Sequence, residues 1–431
     1  VTHPPPVVDD AERAELQRRV LRVLTAGQVV GAAALAAAVT IGAFVVQDAL
    51  GDDTPWGGVA TATVTLGTGV MAQVLSARMR RRGRRIGLWT GYALAALGGV
   101  VAAVGAEVRV LPVFLVGLFL FGNGQAANLL ARYAAADLAR DEERGRAISR
   151  VVFATTFGAV LGPLLIGPGQ ALGEGWLGLG PYTGPWLVGA ACFAAAGLNV
   201  AVRLRPDPLA VAGGVDDAAG ASTPRLGEAL RVIAASPPAR VALLAMVVSQ
   251  GAMVAVMTMT PVHLKHHGHE QLSPYVISLH IAGMYAFSPL VGRIADRRGD
   301  VTAIALGAVV LGGSTVLAAL AAGSQVWIFP ALWALGLGWN FGLIGGSSLL
   351  TSGVPAADRV TVQGAADLLM SVCGGLAGFS SGFVEAGLGY PMLANLATVA
   401  AATLVAVVAL HHRRARRVAA VPGVAADAAV P

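Results

Sequence analysis

The chain is a series of apolar runs, each near 20 residues long, cut by short polar turns. A helix crossing a bilayer core of about 30 Å at about 1.5 Å per residue needs a run of that length. Twelve can be read in order, at about residues 24–46, 57–75, 86–104, 111–133, 148–170, 182–202, 241–261, 275–291, 301–321, 326–350, 362–384 and 391–410. In lipid every backbone N–H and C=O must be satisfied within the chain. The expected fold is therefore an all-α membrane protein of twelve transmembrane helices. The composition agrees: 13% of residues are charged, against about 25% in soluble domains.

Arginine placement tests the count. Turns after even-numbered runs hold Arg78, Arg80, Arg81, Arg82, Arg84 and Arg85, then Arg140, Arg144, Arg146 and Arg150, then five arginines between 203 and 240. Arg293, Arg297 and Arg298 follow the eighth run, Arg359 the tenth, and Arg413, Arg414, Arg416 and Arg417 the twelfth. Turns on the other side carry only Arg109 and Lys265, the sole lysine. Basic residues mark the cytoplasmic side, so both termini and the 203–240 segment are expected there, in a cytoplasmic (inner) membrane. The net charge of +6 then reflects membrane-edge anchors and not a nucleic-acid surface. The expected organisation is a cytoplasmic segment (1–23, with a surface helix over 12–22), a six-helix bundle (24–202) and a Pro- and Gly-rich linker (203–240). A second six-helix bundle (241–410) and a disordered basic tail (411–431) follow. Residues 1–22 lack the apolar core of a cleavable signal.

Ionisable side chains within a span mark a cavity or a partner. Arg132 and Asp367 are the two candidates, for proton coupling or for a gating pair. Asn123, Gln125, Asn128, Gln250 and Asn340 can line a central cavity or tie helices together. A third group combines sulfur and imidazole. Met253 and Met257 are four residues apart on the seventh run, and His280 and Met284 four apart on the eighth, so each pair shares a helix face. Span centres near 251 and 283 put Met253 and His280 at similar depth, with Met257 higher and Met284 near the middle. Such a set suits Cu(I), which prefers soft thioether and imidazole donors. Methionine also fills apolar gaps without binding anything. His263, His266, His267 and His269 fall on the outer loop, as a capture point or as solvated polar residues. Cys192 and Cys373 lie far apart and outside this group. The Gly336–Gly346 run permits close helix contact and is no phosphate loop. With no nucleophile–base pair either, an enzyme is not expected, nor a resident cofactor.

The two halves repeat. Arg81-Arg82-Gly83-Arg84-Arg85 follows the second run and Asp296-Arg297-Arg298-Gly299 the eighth, with glycines 216 residues apart. Asn123-Gly124 has a near counterpart in Asn340-Phe341-Gly342. On these residues the chain resembles the major facilitator superfamily, whose turn reads Gly-x-x-x-Asp-Arg-x-Gly-Arg-Arg. The resemblance implies two pseudo-symmetric six-helix bundles around a central site. Gly292, Asp296, Arg297 and Gly299 fit the pattern. In the first half Arg81, Gly83, Arg84 and Arg85 fit, but Ser76 stands for the leading glycine and Arg80 for the aspartate. Asp137, at the end of the fourth run, can answer those arginines or simply end its helix in water.

Shorter stretches are similar to the CcoA-like branch: the 253–261 and 280–286 runs, Arg132 to Asp137, Arg144 to Ser149, and Val362-Gln363-Gly364 with Asp367. That branch includes copper and riboflavin importers. The resemblance implies that Met253, Met257, His280 and Met284 take a transported metal, although the cysteines such copper importers use are missing beside them. The expected function is a monomeric secondary transporter of a small solute, with copper uptake foremost. Proton-coupled efflux of amphipathic compounds and riboflavin-like import are the alternatives.

Overall fold

A computed structural model describes residues 9–50, 59–180, 182–215, 226–269, 272–321 and 324–419. Among them there is no strand. α1 (Asp10–Leu50) is one unbroken helix. The sequence separates a surface helix at 12–22 from the first span; the structure joins them. The polar turns have partners: Arg13 Nε donates to the Leu138 carbonyl at 3.1 Å and Gln17 Nε2 to the Ala135 carbonyl at 2.7 Å. These are carbonyls just beyond a helix end, where intrahelical donors have run out.

α2 (Val59–Glu107) has 49 residues, enough to cross a bilayer twice. It turns back at Gly83, whose φ of 84° and ψ of 169° suit glycine alone. α3 (Leu111–Ala134) is the fourth crossing. α4 (Arg144–Leu164) and α5 (Ile166–Ala171) form a bent fifth, and α6 (Thr183–Arg203) the sixth. The linker folds locally into α7 (Pro208–Val211) and α8 (Leu226–Ala235).

α9 (Pro237–His266) opens the second half and runs past Pro261, where the sequence suggested an end. His263 is therefore buried in its last turns, not on a loop, and its ring stacks on Tyr390 at 4.4 Å. α10 (Ser273–Tyr285) and α11 (Ser288–Arg298) make one broken crossing. Pro289 opens α11, where its missing N–H would have had no helical partner. α12 (Asp300–Leu320) and α13 (Gln325–Ser352) follow. α14 (Arg359–Ala419), 61 residues long, breaks at Gly389 (φ 79°, ψ 163°) and supplies the last two crossings. Helix extends beyond 411 into the expected tail as far as Ala419; residues 420–431 lie outside the described residues. With the two long helices and the bent pairs read this way, the described residues make twelve crossings.

Buried apolar side chains fall into two clusters. One runs from Val20 to Leu209 with Val360, and the other from Ala229 to Val408 with Ala136, Ile148 and Val152. In the first, Trp186 meets the edges of Phe114 and Phe121 at 5.3 and 5.4 Å. Large apolar residues such as Phe379, Phe383 and Val326 face outward, as the lipid-contacting surface of a membrane protein must.

Candidate functional site

The charged turns bring the halves together on one side, the arginine-rich side. In the second turn Asp296 lies across the seam from α4. Its Oδ1 accepts the Gly145 N–H at 2.7 Å, and its Oδ2 accepts from the Arg146 N–H at 3.1 Å and from Arg146 Nε at 2.8 Å. The first N–H groups of a helix lack intrahelical partners and carry partial positive charge, so a carboxylate there is well held. Close approach makes this reach workable. A Cβ on Gly292 would stand 2.4 Å from Ser149 Oγ and 2.7 Å from the Gly145 carbonyl oxygen.

The first turn is built from other parts. Its steric slot survives with the glycine on the opposite partner: a Cβ on Gly364 of α14 would stand 2.3 Å from Ser76 Oγ. The carboxylate is supplied from outside the turn. Asp207, in the linker, accepts the N–H groups of Arg84 at 3.1 Å and Arg85 at 2.7 Å, and those of Leu209 at 2.9 Å and Ala210 at 3.3 Å. Arg84 is fully buried and grips Asp137 with two nitrogens, at 2.8 and 3.0 Å. It crosses the seam through Gln363 Oε1 at 2.9 Å. Arg85 Nη1 donates to the Ala201 carbonyl at 3.2 Å. Arg81 and Arg297 are exposed, and Gly299 turns with φ 87°.

Deeper in the seam Arg132 pairs with Asp367 across the halves, both buried. Arg132 also donates to Ser347 Oγ of α13 at 2.9 Å, to Tyr133 Oη at 3.0 Å and to the Leu129 carbonyl, with its guanidinium 4.3 Å from the Tyr133 ring centre. Three of its four partner residues are neutral, so among the described residues Asp367 alone balances the buried charge.

α13 is a ruler for the sulfur and imidazole group. On the α10 and α11 side, His280 meets Leu332, Met284 meets Gly336 and Ser288 meets Asn340. On the α9 side, Met246 meets Gly346, Ser249 meets Gly342 and Gln250 meets Trp339. Extending the antiparallel α9 pairing sets Met253 level with about Gly338 and Met257 with about Ala334. The four residues interleave over about 9 Å of α13. This ordering puts Met284 between the two methionines of α9 in depth, unlike the depths read from span centres. His280 Nδ1 lies 2.7 Å from the Leu332 carbonyl. A carbonyl only accepts, so Nδ1 carries the proton and Nε2 presents a lone pair. That Nε2 is buried and has no hydrogen-bond partner.

Of the outer histidines, His263 and His267 lie ring against ring at 4.3 Å. Among the described residues no three His, Cys, Asp or Glu side chains gather as a metal-holding group. His266 faces Glu385 at 3.3 Å, and His267 Nδ1 engages the His263 carbonyl at 2.9 Å. Cys373, distant in sequence, packs on α9, its sulfur 3.2 Å from where a Gly251 Cβ would be. Most of the interior amides tie helices. Gln250 Oε1 accepts from Trp339 Nε1 at 2.6 Å, Asn340 Oδ1 from Ser288 Oγ at 3.2 Å, and Asn128 Oδ1 from Tyr92 Oη at 2.9 Å. Asn123 Nδ2 donates to the Leu120 carbonyl of its own helix at 2.7 Å. Gln125 is half-buried.

The sequence profile of the Major Facilitator Superfamily matches residues 23–379. The chain belongs to this superfamily. It is a multi-pass membrane transporter of a small solute. It is 37% identical over 415 residues to the uncharacterized MFS-type transporter YddS of Bacillus subtilis (strain 168), covering 94% of each chain. It is 30% identical over 356 residues to the riboflavin transporter RfnT of Brucella anthropi, covering 82% of this chain and 85% of that one. The crystal structure of the MFS transporter FucP in the outward conformation matches with a TM-score of 0.70 at 16% identity, over 91% of this chain and 98% of that one. That likeness shows the fold.

Sequence reasoning about this transporter missed Asp207, Ser347 and Tyr133. Asp207 had a local signal: an aspartate directly before a proline is a helix N-cap followed by a proline at the first helical position. Ser347 had none, because only the packed seam brings it to Arg132; Tyr133 stands next to Arg132 in the chain, but adjacent residues on a helix seldom meet through their side chains.

Proposed function

We propose that the transporter works by alternating access and that its arginine-rich side faces the cytoplasm, closed in this conformation. The observation that carries this reading is one-sidedness. Arg146–Asp296, Arg132–Asp367 and Arg84–Gln363 all join the halves toward the arginine-rich side. Arginine bias assigns that side to the cytoplasm, with both termini. The protein then acts as a monomer in the cytoplasmic membrane, each half rocking about the site between them.

For the solute, the sharper reading is Cu(I) uptake. Its support is His280, whose buried Nε2 lone pair is free, within the same 9 Å stretch of α13 as Met253, Met257 and Met284. A neutral imidazole with its proton fixed on Nδ1 is the form that ligates a metal. Riboflavin-like import is the second reading, favoured by the relative RfnT. Cells expressing the chain are assayed for copper and for riboflavin accumulation, beside Met257→Leu and His280→Ala variants. Copper accumulation that both variants abolish supports the metal reading. Copper levels indifferent to the protein, with riboflavin uptake raised, hand the site to the flavin; raised tolerance to amphipathic drugs would instead mean export.

A further inference from the structure

One cavity of the transporter lies wholly within the first half and not between the halves. It lies on the arginine-rich side, between the first turns of α1 and the 138–150 turn, with a volume of about 330 Å³. That is the lower end of small-molecule sites. Five guanidinium groups line it, from Arg13, Arg18, Arg140, Arg146 and Arg150, against the carboxylates of Asp10 and Glu143. Arg13 is held through Nε to the Leu138 carbonyl, and Arg146 through Nε to Asp296. Among the described residues Arg18, Arg140 and Arg150 form no ion pair. Five arginines against two carboxylates leave the lining with an excess of positive charge, and a concave surface with such an excess focuses its field into the hollow and favours a counter-ion there.

We propose that this cavity binds a phosphate-bearing anion at the membrane surface. The chemistry fits the lining: guanidinium forks match phosphate oxygens in pairs. Continuity supports the placement, since α1 runs unbroken from the cavity wall into the first span and sets the cavity at the level of lipid headgroups. Arg146 gives the site a second consequence. The same guanidinium holds Asp296 across the seam, so the occupant and the gate share one side chain.

A phosphodiester headgroup and a soluble phosphate ester are the two sources, and one experiment separates them. The full chain, purified in neutral phosphatidylcholine nanodiscs, is titrated with phosphatidylglycerol and, separately, with glycerol phosphate, and retention is read by native mass spectrometry. The wild type is expected to retain phosphatidylglycerol over phosphatidylcholine. The Arg18→Gln/Arg150→Gln variant is expected to bind about twenty-five-fold more weakly, each arginine near an anionic headgroup contributing about a factor of five. Both arginines are exposed, so the fold tolerates the change, and Arg18→Lys/Arg150→Lys is expected to restore most of the binding. Retention of glycerol phosphate alone assigns the site to a soluble ester; retention of the lipid alone assigns it to a headgroup. Equal retention of phosphatidylglycerol and phosphatidylcholine with no binding of glycerol phosphate, or a Gln variant that binds like the wild type, overturns the proposal.

Discussion

The two glycine turns have nearly the same backbone and opposite loyalties. At Gly83 the chain turns with φ 84° and ψ 169°, and at Gly299 with φ 87° and ψ 150°. Around Gly83 the charges are stitched within one half: Asp207 holds the backbone after the turn, and Asp137 holds Arg84. Gln363 reaches over from the second half to Arg84. Near Gly299 the aspartate belongs to the turn and directs its hydrogen bonds to Gly145 and Arg146 of the other half. One turn therefore stiffens a bundle, and the other latches two bundles together. A sequence repeat has kept its shape while dividing its work.

The largest effect should come from the deepest seam contact, which sits with the latch side of this contrast. Asp367→Ala leaves the Arg132 guanidinium buried with neutral partners only. Breaking one side of a buried pair costs about 3–5 kcal/mol. Thermal unfolding of the purified variant should fall accordingly and transport should be lost. A variant unfolding at the wild-type temperature would mean that water or another anion already balances Arg132.

The next contrast sets the two glycines against each other. Both adopt a backbone that costs other residues about 1–3 kcal/mol. At Gly83 a Cβ would also stand 2.4 Å from Asp207 Oδ2, whereas at Gly299 nothing lies within 4 Å. Gly83→Ala is thus expected to lower stability by the strain plus part of the Asp207 bonding, and Gly299→Ala by the strain alone. Equal losses in thermal melts would show that Asp207 gives way freely, and the stiffening role of the first turn would go with it.

Much of this was legible beforehand, and the illegible part has a physical pattern. The crossings, the repeat and the second turn follow from run length and local motif. What the sequence hid is carried by bonds between distant segments. Arg80 stands where the pattern has an aspartate, and the missing charge comes from residue 207, about 120 positions away. The missing glycine at 76 is likewise made up at Gly364. Arg13 and Gln17 looked like a solvated surface helix because the carbonyls they bind are unpaired only once α3 has ended. Of the expected histidine loop, His267 and His269 do follow the helix end, whereas His263 was misplaced for a local reason: Pro261 did not end α9, and the next turn buries His263 against Tyr390.

The smallest effects, and the most direct reading of the division of work, come from the two carboxylates. Asp207→Ala removes a cap shared by two helix starts, and a cap contributes about 0.5–2 kcal/mol. All its bonds lie within the first half and the linker, so both access states lose them equally. Stability should drop while the fraction of molecules open to the arginine-rich side stays constant. Asp296→Ala removes charge-assisted bonds that exist only while the seam is closed. Even a loss of about 1.4 kcal/mol there shifts the open-to-closed ratio about tenfold. A single cysteine placed in the closed seam should then label faster in the Asp296 variant and at the parent rate in the Asp207 variant. Labelling that accelerates in both would mean that the linker carboxylate also senses the gate, and the first turn would have to be counted as a second latch.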